Sequence, residues 1–120
     1  MAAADPQGKL RELTDEYTKL QQEQQKLIVA QQRLNAQKTE NEGVKKEFEK
    51  LKDSETIYKL VGPVLLKQEK FEADSTVKGR LDFIDKEIGR LEDEIKESNG
   101  KMDAIKDQIM ATQTSAQPAQ

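Results

Sequence analysis

Along most of this chain, apolar side chains recur at alternating steps of three and four residues. In the first half the stripe runs through Leu10, Leu13, Tyr17, Leu20, Gln24, Leu27, Gln31, Leu34, Lys38 and Asn41. That is a heptad frame with polar interruptions, the mark of a helix that buries one narrow seam. Val44, Phe48 and Leu51 carry the stripe on, with a shift of one residue near Val44. A slip of that kind locally changes supercoiling. Asp5 followed by Pro6 is a start signal, with Asp as N-cap and Pro at the first helical position. The pattern predicts one helix over about 6–52, roughly 65–70 Å long at 1.5 Å rise per residue.

The second half is stricter. Val77, Leu81, Ile84, Ile88, Leu91, Ile95, Ser98, Met102, Ile105 and Ile109 keep the 4,3 spacing, and only Ser98 is polar. Off the seam, Asp82–Lys86, Glu92–Lys96 and Glu97–Lys101 set acid before base at i,i+4. Each pair adds about 0.2–0.5 kcal/mol of helix stability. Gly79, Gly89 and Gly100 fall outside the seam. Each costs about 1 kcal/mol relative to Ala. A second helix is predicted over about 72–111, with 112–120 as a flexible tail.

Between the helices lies TIYKLVGPVLLK, Thr56 to Lys67, an apolar segment in charged surroundings. Ile57, Tyr58, Val61, Val64, Leu65 and Leu66 suit strands. Gly62-Pro63 is a reversal signal. Strands are predicted at 56–61 and 64–68. A symmetric reversal there makes the helices antiparallel, with facing residue numbers adding to about 125, the sum of 62 and 63. Phe48 then lies by Val77, Val44 by Leu81, Leu34 by Leu91 and Leu20 by Ile105, while Gln24 faces Met102 and Gln31 faces Ile95. The fold class is mainly α: one domain over 1–120, an antiparallel coiled-coil hairpin with a central β-hairpin.

A lone two-stranded hairpin is marginal in water and leaves two edges of unpaired N–H and C=O groups. One reading makes this segment an apolar plug on the coiled coil. Under a two-residue-turn register, however, apolar residues fall on both of its faces, and one coiled-coil end covers only one. The segment is therefore expected to join hairpins from other chains.

Composition narrows the class. Of 120 residues, 36% are charged, 34% hydrophobic and 4% aromatic. Mean hydropathy is -0.90. That is too polar for an ordinary globular core and leaves disorder or long helices with a narrow seam. The heptads select the second. Net charge is -3, without the basic excess that phosphate tracking needs, so no nucleic-acid partner is expected. There is no Cys and no His. The first favours a reducing compartment, and the second removes imidazole chemistry and the commonest metal ligand. The start, MAAADPQGKL, has no apolar h-region, and Leu60 to Leu66 is too short to span a bilayer. A cytoplasmic protein with no membrane partner is expected.

No catalytic constellation is found, and no cofactor or metal site. Glu92, Asp93 and Glu94 lie on a polar helix face, where nothing raises a carboxyl pKa for acid–base work. Asp82, Asp85 and Glu87 lack the EF-hand pattern.

IYKLVGPVLLKQE, between long heptad helices, resembles the β-type subunits of prefoldin. TVKGRLDFIDKEIGRLE is similar to the start of the second helix in the eukaryotic subunit-six branch of that family. The resemblance implies a heterohexamer of α-type and β-type subunits, two and four respectively, whose hairpins form a double β-barrel platform. The residues at issue are Ile57, Tyr58, Leu60, Val61, Gly62, Pro63, Val64, Leu65 and Leu66. It also implies an ATP-independent co-chaperone. Its coiled-coil tips hold unfolded clients, notably actin and tubulin, and pass them to the cytosolic group II chaperonin. Here Leu10, Leu13, Tyr17, Leu20, Met102, Ile105, Ile109 and Met110 occupy the tips. They either zip the coil closed or, if the terminal turns fray, expose an adaptable apolar surface to clients. Two rival readings are a structural coiled-coil scaffold and an RNA-gripping hairpin arm. Against the RNA arm, Glu55, Glu69 and Glu72 balance Lys59, Lys67 and Lys70.

Overall fold

The structure, a computed structural model, describes residues 5–116. The order is α1 (Pro6–Lys50), β1 (Ile57–Val61), β2 (Val64–Gln68) and α2 (Lys70–Ala116). Two compact units are distinguished. A terminal unit holds Met1–Ala30 with Leu91–Gln120, and a hairpin unit holds Gln31–Arg90.

In the terminal unit α1 starts as its sequence dictates. The Gln7 N–H donates to Asp5 Oδ1 at 3.1 Å, and the Lys9 N–H to the Asp5 carbonyl at 2.9 Å. The first bond satisfies one of the helix's orphan donors, and the second is the first turn's own i→i−4 bond. The helix start is capped rather than loose. On α1, Leu13 is buried, and Leu10, Tyr17, Leu20, Gln24 and Leu27 are half-buried. On α2, Leu91, Ser98, Met102 and Ile105 are buried, with Ile95 and Ile109 half-buried. The polar seam residue Gln24 is provided for: its side-chain amide donates to Asn99 Oδ1.

The tail expected from 112 onward is corrected in part. Helix α2 continues to Ala116. Thr112 extends the 4,3 spacing beyond Ile109 and is buried, and its hydroxyl donates to the Gln108 carbonyl at 2.8 Å. A seam residue whose one polar group is bonded keeps the helix going. Residues 117–120 of that expected tail lie outside the described ones.

In the hairpin unit, Val77, Leu81, Ile84 and Ile88 of α2 are buried, and so is Ala73. Ala73, Val77 and Leu81 are spaced by two successive fours, a stutter that locally unwinds a coiled coil. On α1, Leu34, Lys38, Asn41, Phe48 and Leu51 are half-buried. Val44 is not a seam residue, being 39% exposed. Asn41 and Phe48 are seven apart, so the heptad frame passes Val44 without the expected slip. Lys38 Nζ reaches Asp85 Oδ1 at 2.8 Å between partly exposed side chains. Such a pair contributes about 0–1 kcal/mol. Arg90 donates to Glu87 at 2.9 Å, and this hydrogen bond holds the Glu87 carboxyl below its usual pKa.

The helix register also differs from expectation. The numbers in Gln24–Asn99 and in Lys38–Asp85 both add to 123. Lys9 and Thr112, which line one groove in the terminal unit, add to 121. Facing positions thus add to about 122, not 125. The cause is an asymmetric connection. The β ladder is symmetric, since Ile57 pairs with Gln68. Yet Leu51 to Thr56 link α1 to β1, whereas Glu69 alone links β2 to α2. Gln24 is therefore level with Ser98 rather than Met102, and Leu20 with Met102 rather than Ile105. One polar position of each seam, Gln24 and Ser98, thus meets the other.

That asymmetric link is tied down by one side chain. Lys70 Nζ donates to the Leu51 carbonyl at 2.9 Å and lies 3.5 Å from Asp53 Oδ1. A cation at the start of α2 opposes that helix's own dipole, but here it sits at the C-terminal end of α1, where a cation is favoured. Lys70→Met is expected to lower stability by about 1–2 kcal/mol, because the charge-assisted bond is lost and a part-buried carbonyl is left unpaired. Urea denaturation of the assembled protein measures this. An unchanged midpoint would show that the bond merely replaces one to water.

Candidate assembly surface

The hairpin follows from its turn. Gly62 has φ of 59°, and β1 and β2 meet through Gly62 and Pro63 alone. A positive φ at the first central position, with Pro holding the second near −65°, is the two-residue turn of type II′. Its twist matches that of the flanking strands. The register is Ile57↔Gln68, Tyr58↔Lys67, Lys59↔Leu66, Leu60↔Leu65 and Val61↔Val64.

Directly opposed residues share a face in an antiparallel pair. One face therefore carries Tyr58, Leu60 and Leu65 with Lys67. The other carries Ile57, Val61, Val64 and Leu66 with Lys59 and Gln68. Six of the apolar side chains are exposed: Tyr58, Leu60, Val61, Val64, Leu65 and Leu66. Leu60 is 69% exposed and Leu65 62%. Only Ile57 and Gln68, at the root, are half-buried. Apolar surface thus lies open on both faces of a two-stranded sheet, and among the described residues both edges are unpaired. Exposed apolar surface of this kind marks an interaction site.

The residues expected at the client-holding tips all lie in the terminal unit. Leu13, Met102 and Ile105 are buried. Leu10, Tyr17, Leu20 and Ile109 are half-buried, and only Met110 is exposed, at 58%. Seven of the eight are buried or half-buried in the terminal unit's seam. Sequence reasoning passed over Phe71, which is 80% exposed in the first turn of α2. Its signal was an aromatic residue off the heptad frame, beside the hairpin. No helix among the described residues is long and apolar enough to cross a membrane.

Comparison with known proteins agrees with this architecture. The prefoldin subunit family matches residues 11–116. Prefoldin subunit 6 of Mus musculus is 39% identical over 114 residues, covering 95% of this chain and 90% of the relative. Prefoldin subunit 6 of Saccharomyces cerevisiae is 36% identical over 107 residues, covering 89% and 94%. Among solved structures, the prefoldin beta subunit from Thermococcus strain KS-1 superposes with a TM-score of 0.83 at 25% identity, covering 99% of this chain and 100% of that one. With two heptad helices, a central hairpin of matching order and relatives spanning nearly its whole length, the chain belongs to the prefoldin subunit family, a family of non-enzymatic chaperone subunits.

Proposed function

We propose that this chain is one subunit of a cytoplasmic prefoldin heterohexamer, assembled through its β-hairpin with other α-type and β-type subunits into a β-barrel platform. The terminal unit engages unfolded polypeptides of the actin and tubulin kind. The complex delivers them to the group II chaperonin without using ATP. The observation that carries this reading is the open apolar surface on both faces of the hairpin. A plug for the coiled coil needs one apolar face. A strand that enters a barrel between other strands uses both its edges, and buries a face inside. The relatives, all prefoldin subunits, support a partner of the same family. For the scaffold reading, a parallel coil would have to form between chains, whereas here Lys38–Asp85 and Leu51–Lys70 join antiparallel segments of one chain.

The test begins with the native complex. The tagged chain is recovered from cells, its mass measured and its companions identified. The complex is then assayed for suppressing aggregation of denatured actin, with and without nucleotide. Six prefoldin subunits and equal protection in both conditions are expected. A chain recovered alone, or protection that requires ATP, would sink the proposal.

A further inference from the structure

The hairpin does not exhaust the exposed apolar surface beside it. Phe71 is the most exposed large apolar side chain described, at 80%, and belongs to α2 rather than to either strand. It lines a cleft of about 520 Å³ that begins at the root of the hairpin. Thr56 and Lys67, which border Ile57 and Gln68 at the end of the β ladder, line that cleft with it. Phe71 is the one apolar residue in the wall of this cleft, and it adjoins the root of the hairpin. The wall of the cleft is acidic on balance: Asp53, Glu55, Glu69 and Asp74 stand against Lys67 and Lys70. Lys70 is already committed to Leu51 and Asp53.

Resting on the assembly reading above, we propose that this cleft is a second docking element of the interface. It receives an apolar side chain of the adjoining prefoldin subunit, with a basic residue of that subunit beside it. Continuity argues for the occupant. Any chain that pairs with the hairpin near its root lies beside Phe71. A Phe that becomes fully covered removes about 150–250 Å² from water, the scale of an interface hot spot. The acidic rim selects a cationic neighbour and repels an acidic one. Phe83 supplies a natural control, since it is also exposed on α2 but does not line the cleft.

The experiment reconstitutes the complex from this chain and its partner subunits, and follows the concentration at which half the chain is incorporated. Phe71→Ser should raise that concentration about tenfold or more. Phe83→Ser should leave it unchanged. Leu65→Asp, on the hairpin itself, should prevent incorporation. Were Leu65→Asp to prevent assembly while Phe71→Ser assembled like the wild type, the cleft would be no part of the interface although the hairpin is. If Leu65→Asp assembled normally, both readings would fall together. Hydroxyl-radical labelling of the unsubstituted chain gives an independent measure. Modification of Phe71 should drop on entry into the complex, and equal modification free and assembled would overturn the proposal whatever the variants do.

Discussion

Leu65→Asp is expected to abolish incorporation into the complex while leaving the helices folded. In the lone chain Leu65 is 62% exposed, and it is paired across the strands with Leu60. A carboxylate there stays in water as long as the chain is alone, so the monomer loses little. The penalty arises when a neighbouring hairpin covers that face. An unpaired carboxylate taken from water costs several kcal/mol, more than a single cross-strand apolar pair of about 0.2–1 kcal/mol returns. Circular dichroism should remain that of the unsubstituted chain, because the seam is distant in sequence from position 65. Native mass spectrometry or sizing should show no complex. A complex of normal mass and yield would overturn assembly through the hairpin. The alternative of a general folding defect is separated by the helical signal, which would then fall too.

Much of the fold could be read from residue order because heptad spacing is a direct consequence of helix geometry. On α1, every position from Leu10 to Asn41 in the heptad frame is buried or half-buried, including the polar Gln24, Gln31, Lys38 and Asn41. The two-residue turn was equally legible, since Gly before Pro permits positive φ at the first position and fixes the second. The register was not. It depends on how Leu51 to Thr56 coil and on the tie from Lys70 to the Leu51 carbonyl. No periodicity encodes that tertiary bond. The extension of α2 through Thr112 was missed for a different reason. Its signal was present in the spacing from Ile105 and Ile109, but a Thr in a polar segment reads as a turn residue until its hydroxyl is seen bonded within the helix. For the candidate surface, the exposure of apolar residues on both hairpin faces followed from the turn and the alternation of the strands. Phe71 required the structure, because its meaning lies in its nearness to the hairpin root rather than in any pattern.

The observed register also decides how the terminal unit should be removed to test client capture. Facing residues add to about 122, so a cut after Tyr17 on α1 is level with Ile105 on α2. Deleting Met1–Tyr17 together with Ile105–Gln120 leaves two blunt ends. A cut at Ile109 would strand Ile105 without its partner turn and create an apolar patch that itself binds clients. The truncated chain keeps Leu20, Gln24 and Leu27 with Ile95, Ser98 and Met102, and the entire hairpin unit. Its helices remain far longer than the ~12–15 residues below which isolated helices fail, so assembly should persist. Capture of denatured clients should fall. At about 25 cal/mol per Å² of apolar surface, each 100 Å² of lost contact weakens the bound state by about 2.5 kcal/mol at most. The tips of other subunits still contribute, so the loss should be partial and should vary with the client. Comparison with Met110→Ser shows which surface is used. Met110 is the one expected tip residue that stands exposed, whereas Leu13, Met102 and Ile105 are packed. If clients bind only what is already exposed, Met110→Ser should reproduce most of the loss. If capture needs the seam to open, the truncation should cost much more than Met110→Ser. Protection by truncated complexes equal to that by full-length ones, at normal assembly, would remove this subunit's terminal unit from client binding altogether.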